Sequence, residues 1–408
     1  MSLIEHWVWL STIAGLGARA CKALLERFET PESAYNGTER EYREVPGLKI
    51  GDIEKLMHKD LSVSKEALES CKKLGFSIIA LDDPRYPDRL RNIFDPPVVL
   101  YVKGELPPID EEPIVAVVGT RSSTSYGVKS AERICGDLAE RGVIVSTGLA
   151  RGIDTAAARG ALRAGGRVIG VIGSGLDIVY PAENRNLFEE VAQKGAVISE
   201  YPPGTRAVPF HFPARNRIVS GVSLGVAVIE APARSGALLT AYNAAEQGRD
   251  VFSLPGNIDM VSCEGSNALL REGAIAFMSA EDIISEYIDL FPDRIIPLGR
   301  LPEKRQAEAQ ESQGGRCPGS GKSRRGNDIV VDNASYEDYI DLDKIYQGLT
   351  GDENAVAVAI GAGSPVTDEI IEITGFSATR VLSALTMLEI KGCATRDGGG
   401  KWRLVRVV

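Results

Sequence analysis

Between residues 114 and 254, short apolar runs alternate with longer amphipathic stretches. The runs cover 114–118, 143–146, 168–172, 196–199, 225–229 and 251–254. They are nearly all apolar rather than alternating, which reads as strands covered on both faces. The intervening segments, such as 128–141 and 154–164, space their apolar residues as a helix does. Strand and helix in alternation predict a mainly parallel sheet with right-handed crossovers, a Rossmann-like doubly wound α/β fold. Two more apolar runs, 77–81 and 98–102, flank a proline-dense loop, where each proline removes a backbone donor, and read as further strands.

The pattern changes at both ends. Residues 1–75 read as a helical module with two glycine turns, Gly15–Leu–Gly17 and the 45–51 segment VPGLKIG, and with Arg19 and Lys22 nearby. Two readings stand: a helix-hairpin-helix (SAM-like) module whose turns aim backbone N–H groups at a DNA phosphate, or plain helix packing. Residues 291–335 contain EKRQAEAQESQGGRCPGSGKSRRGN, almost free of large apolar residues, and predict a flexible linker. In 336–408, Thr367 is placed to cap a helix ending at Thr374, and Ser377 to cap a second running to Ile390. The following CATRDGGGKWRLV reads as a hairpin, which together with the helices predicts a winged helix. The expected domains are therefore 1–75, 76–290 and 336–408, with 291–335 as a tether.

Composition adds limits. The chain has 408 residues, 44% hydrophobic and 25% charged, which suits two or three globular domains. A net charge of -10 argues mildly against a nucleic-acid partner, although a local basic groove can sit on an acidic protein. The six cysteines, at 21, 71, 135, 263, 317 and 393, include no CxxC pair, so free thiols are expected and no zinc ribbon. The first residues lack a basic n-region, and no stretch reaches a membrane span, so a cytoplasmic protein without membrane attachment is expected.

In an open parallel sheet, ligands bind beyond the carboxyl ends of the strands. There the sequence places GTRSSTSYG at 119–127, TGLARGID at 147–154, GSGLD at 173–177, EAPARSG at 230–236 and PGN at 255–257. Small residues let a backbone approach phosphate, and an arginine adds a forked, charge-assisted contact. Several such loops on one edge suggest an oligonucleotide or dinucleotide. The NAD fingerprint and the Walker pattern are both absent. The segment PFHFPARNR at 209–217 offers Phe210 and Phe212 as stacking faces, with Arg215 and Arg217 beside the backbone path. Alternatively both rings are core and one arginine pairs with Glu200 or Glu230. Catalysis has few candidates: there are three histidines, no HExxH and no G-x-S-x-G. Asp154 is expected to cap the helix that follows it.

The motifs VAVVGTR, STGLARGID, GSGLDIVYPAEN, FHFPARNRIVSG, EAPARSGALLTA, EQGRDVFSLPGN and EGSNALLREGA, in this order over about 80–290, resemble those of the DprA/Smf family of DNA-processing proteins. The resemblance implies a non-enzymatic protein of natural transformation that binds single-stranded DNA and shields it from nucleases. It also implies a homodimer that helps load the recombinase RecA and needs neither metal nor cofactor. Carried over by motif, the DNA site would comprise Gly119, Thr120, Arg121 and Ser122; Gly148, Arg151, Gly152 and Asp154; and Gly173 and Ser174. It would also take in Phe212, Arg215, Asn216, Arg217, Ser235 and Gly236. The dimer contact would fall near 266–275, with Leu269 and Leu270 as apolar candidates. One departure stands out: many members carry a lysine three residues before the phenylalanine, where this chain has Pro209, and Arg206 is the nearest substitute.

Two other functions compete. Lysine-decarboxylase-like nucleotide phosphoribohydrolases share a related sheet, but their PGGxGTxxE signature is replaced here by APARSGALLTAY at 231–242. A duplex-binding regulator acting through the winged helix would need a basic recognition surface, whereas Arg380, Glu389 and Lys391 are of mixed sign.

Overall fold

The computed structural model describes residues 3–13, 15–297, 351–361, 366–374, 376–391, 394–396 and 402–404. The chain divides into two compact units, 1–313 and 314–408.

The first unit is built on one sheet. Its strands are β1 (Ser77–Ala80), β2 (Val99–Gly104), β3 (Ile114–Val118), β4 (Ile144–Thr147), β5 (Val168–Ile172), β6 (Ala196–Ser199), β7 (Gly225–Val228), β8 (Asp250–Ser253) and β9 (Ile275–Ala276). Their order is β1-β2-β6-β5-β4-β3-β7-β8-β9. From β6 to β9 every pairing is parallel, while β2 runs antiparallel to β6 and β1 to β2. The winding reverses beside β3, which has β4 on one side and β7 on the other.

Alternation along β3 explains why its whole run is apolar. Val115 and Val117 face the layer containing Ala131, Ile134 and Leu138 of helix Ser125–Glu140 and Ala157 of helix Ile153–Arg163. Ile114, Ala116 and Val118 face the opposite layer, with Ile218 and Val219 of helix His211–Gly221 and Leu238 of helix Gly236–Glu246. Side chains of period two thus serve two cores. The two-residue β9 has no period to read and was not expected from the sequence.

Among the described residues, six helices precede β1, from Leu3–Thr12 to Ser62–Leu74. Their Trp7, Leu10, Leu24, Tyr42 and Leu56 belong to the same apolar cluster as Val99, Tyr101 and Val115. The expected boundary at residue 75 therefore crosses one continuous core. The expected linker also begins late: Ile295 is buried, and the Ile296 N–H donates to Arg141 O at 3.0 Å. The rest of that linker, 298–335, lies outside the described residues, as do Cys317 and Cys393. Cys21, Cys71, Cys135 and Cys263 are buried free thiols.

The second unit contains helices Gly351–Gly361, Thr367–Thr374 and Ala378–Ile390 and a hairpin pairing Ala394–Arg396 with Trp402–Leu404. Val356, Ile360, Ile370, Val381, Leu385, Leu388 and Trp402 form its core, and Trp402 Nε1 donates to Thr367 Oγ1 at 3.1 Å. This is a winged helix. Its first helix went unread in the sequence. Among the described residues, no helix is long and apolar enough to cross a membrane.

Candidate nucleic-acid interface

The loops that leave β3, β4 and β7 meet at the reversal of the winding. Thr120 N–H donates to Glu230 O at 2.7 Å, and Ile153 N–H donates to Thr120 O at 3.2 Å. Glycine permits this approach. A Cβ on Gly119 would sit 2.6 Å from Ile153 Cγ1, and one on Gly148 would sit 2.5 Å from Arg215 Nη2. Gly152 has φ +73, and a Cβ there would lie 2.7 Å from Arg121 O.

Beyond these loops opens a small pocket, lined by Arg121, Gly148, Ala150, Arg151, Tyr180, Pro181, Phe212 and Arg215. The exposed Arg121 guanidinium rests 5.2 Å from the centroid of the Phe212 ring, a cation–π contact. Tyr180, 47% exposed, lies beside Phe212, the ring centroids 5.4 Å apart and the planes tilted by 35°. Arg151 is exposed and ion-paired with the exposed Glu183. An exposed pair of this kind is weak and readily exchanged for another anion.

Arg215 forms the floor. It is buried, and its Nη1 donates to Gly148 O at 2.7 Å and to Val171 O. Asp154 is buried nearby; burial pushes its carboxyl upward, opposed first by the Arg215 charge. Asp154 does not cap its helix. The N-cap is Gly152, and Asp154 Oδ2 instead accepts from Ala150 N–H at 3.4 Å, which folds the 147–154 loop back on itself.

Glu230 accounts for the failed dinucleotide fingerprint. It is 1% exposed, and its Oε2 accepts from both the N–H and the hydroxyl of Thr124, each at 3.1 Å, at the N-terminus of helix Ser125–Glu140. Gly127 leaves room for it, since a Cβ there would overlap the same oxygen. The helix N-terminus that receives a pyrophosphate in dinucleotide-binding sheets is occupied by the chain's own carboxylate.

With this geometry in place, comparison with known proteins is decisive. Residues 77–288 match the model of DNA recombination-mediator protein A, and residues 344–400 match the DprA winged helix domain. Protein Smf of Synechocystis sp. is 32% identical over 415 residues, covering 98% of this chain and 98% of that protein. The chain belongs to the DprA/Smf family. The DNA processing protein DprA of Streptococcus pneumoniae is 47% identical over 213 residues, 52% of this chain and 74% of that one. The X-ray structure of DprA from the same species superposes with a TM-score of 0.62 at 36% identity, covering 70% of this chain and 99% of that one.

The residues singled out by family resemblance do not all converge. Gly119, Arg121, Gly148, Arg151, Gly152, Phe212 and Arg215 gather at the pocket or on the loops that form it. Thr120 is buried, and Ser122, exposed beside it, donates its N–H to Thr120 Oγ1 at 3.2 Å. Gly173 and Ser174 close the β5 loop: Gly173 O accepts from His211 Nδ1 at 3.0 Å, and Ser174 Oγ donates to Ile178 O at 2.9 Å. Asn216 Nδ2 donates to Gly236 O at 3.0 Å, tying the DprA/Smf site helix to the one that Ser235 caps through Ala237 N–H.

Arg217 faces away from the pocket. Its guanidinium holds Glu200 at 2.9 and 2.7 Å and donates to Asp95 O at 2.9 Å, the arrangement of the alternative in which one arginine of the segment pairs with Glu200. Phe210 is 62% exposed, with its ring edge-on to His211, whereas Phe212 is half-buried. Arg206 is exposed, as a substitute for the missing lysine requires. Of the two leucines named for the dimer contact, Leu269 belongs to its own core and Leu270 is half-exposed. Tyr180 was not anticipated; its sequence signal, an aromatic directly after a glycine loop, is too common to single it out.

Proposed function

We propose that this DprA/Smf protein binds single-stranded DNA along the carboxyl edge of its sheet and acts by binding rather than by catalysis. The observation that carries this reading is the Arg121–Phe212–Tyr180 cluster. An exposed guanidinium and two accessible rings are grouped over a floor whose cation, Arg215, is buried. Unpaired bases stack on such rings irrespective of sequence, and the arginines neutralise the backbone. A duplex hides its base faces and fits this surface poorly.

From family membership we infer the finer role. The protein shields incoming single strands in the cytoplasm during transformation and hands them to RecA as a homodimer joined near 266–275, where Leu270 is a half-exposed apolar side chain. The experiment is a fluorescence-anisotropy titration of labelled oligo-dT, with duplex competitor, at two salt concentrations. Salt-sensitive binding that duplex does not displace supports the reading. Absence of binding at low salt overturns it. RecA filament assembly with and without the protein tests the handover, and sedimentation of Leu270→Glu tests the dimer.

A further inference from the structure

The loop 92–98 lies along the side of the site helix His211–Gly221. Ile93 is buried against it: a Cβ on Gly221 would meet Leu90 Cδ1 at 2.7 Å and Ile93 Cγ2 at 3.2 Å. Asp95 is held by Arg217, whose Nε lies 3.3 Å from its carboxylate. Between these two anchors Phe94 projects outward, 67% exposed. One exposed apolar side chain carries no message by itself. Here, however, two cations attend it from helix Ala18–Phe28. The Arg19 guanidinium is 4.8 Å from the ring centroid, and Lys22 Nζ is 5.5 Å from it and donates to Phe94 O at 3.3 Å. Arg19 and Lys22 are three residues apart and so share one helix face. Both are exposed. A groove opens alongside, walled by Leu25, Leu81, Pro96 and Val98 together with Lys22, Arg91 and the acidic Glu26.

We propose that Phe94, Arg19 and Lys22 form a second stacking station for single-stranded DNA, which continues the track from the Arg121–Phe212 pocket onto the N-terminal helices. The proposal rests on the single-strand reading of that pocket. A fixed aromatic ring beside paired cations offers a base a π-face and its phosphates a counter-charge. The two stations are rigidly related. Arg217, which holds Asp95, lies five residues after Phe212 on one helix, about 7.5 Å of rise. Cys21, on the same helix as Arg19, feels the charges of both Glu200 and Arg217. The role of Arg19 and Lys22 thus runs through a side-chain platform rather than a glycine turn.

The test uses the full chain, with Phe94→Ala, the pair Arg19→Ala and Lys22→Ala, and Phe94→Trp as a reporter. The probes are a short oligo-dT that fills the Arg121 pocket alone and one several times longer. Phe94→Ala is expected to weaken the long strand about tenfold, within the range for one base–aromatic stack, and to leave the short strand unchanged. The double variant should lower the salt slope for the long strand by about 0.7 per cation. The indole fluorescence that Phe94→Trp adds to the wild-type signal should be quenched by the long strand only. Equal binding of both strands by Phe94→Ala and wild type, without quenching, overturns the proposal, and is the outcome expected if the groove takes a peptide. Failure of wild type itself to bind either strand would instead overturn the pocket reading on which this one rests.

Discussion

Arg215 reaches from the site helix to the carbonyl of Gly148, with Nη1 and O 2.7 Å apart, and so fixes the loop after β4 beneath the pocket. The contact exists because residue 148 has no side chain: a Cβ would lie 2.5 to 2.7 Å from three guanidinium atoms. Gly148→Ala should therefore displace Arg215 and cost about 1–3 kcal/mol of stability, the usual range for overpacking. Arg215→Ala should also cost about 1–3 kcal/mol, because the buried carbonyls of Gly148 and Val171 lose their donor. Urea unfolding followed by the fluorescence of Trp7 and Trp9, both in the first unit, measures each. A loss below about 0.5 kcal/mol in both variants contradicts this account.

Arg121 is the opposite case. It is exposed and bears on no buried carboxylate through a hydrogen bond, so Arg121→Ala should leave the urea midpoint unchanged. It should weaken binding of oligo-dT and reduce the slope of log affinity against log salt by about 0.7. An unchanged slope removes Arg121 from the DNA site.

Arg217→Ala should invert that pattern. Removing it strands Glu200 and Asp95, a loss of about 3–5 kcal/mol, while the salt slope stays near the wild-type value. A slope that falls as far as in Arg121→Ala would show that Arg217 leaves Glu200 to meet phosphate.

Helix geometry separates Arg215 from Arg217, which the sequence offers together with the alternative that one of them pairs with Glu200 or Glu230; Arg217 is the one paired with Glu200. Residues two apart on a helix point about 200° apart, so both cannot face one pocket, whereas Phe212 and Arg215, three apart, share a face. The parallel strands were the most legible part: 114–118, 168–172 and 196–199 coincide with β3, β5 and β6, because burial on both faces leaves no polar position to blur the run. The glycine loops were legible for a related reason, since close packing of backbones excludes other residues. A carboxylate near a helix start usually caps it, but this helix begins at Ile153, so Asp154 falls inside the first turn and accepts from Ala150 N–H instead. Helix boundaries differ by one to three residues, as at Ser125 against the expected 128.

His211 provides a pH signature. Burial lowers its pKa in the folded protein, only partly opposed by Gly173 O and the Glu200 charge. The folded value lies below the ordinary value of about 6.5, so on acidification the unfolded chain takes up the proton first. Stability is then fully present above about pH 6.5 and declines as the pH falls from there towards the folded value. Urea midpoints of wild type should drop over this window, and His211→Gln should flatten that part of the profile. An identical acid limb in both proteins would rule out His211 as its source.

Glu230 sets the last expectation. A helix of sixteen residues ends its N-terminus on this carboxylate, through two 3.1 Å bonds from Thr124, and the field there favours an anion. Glu230→Ala removes the anion but keeps the helix, the Thr124 cap and the glycine at 127. The variant should lose about 1–3 kcal/mol, the cost of leaving buried donors unpaired. A small oxyanion binding in the vacated position would restore part of that loss. Thermal unfolding in phosphate and in chloride at matched ionic strength separates this from the general effect of salt, because wild type, already occupied by its own carboxylate, reports the general effect alone. A larger phosphate-induced rise in Tm for Glu230→Ala than for wild type means that Glu230 acts as a built-in anion, keeping nucleotide phosphates out of the fold's usual site. Equal rises mean that Glu230 only braces the loop at Thr124.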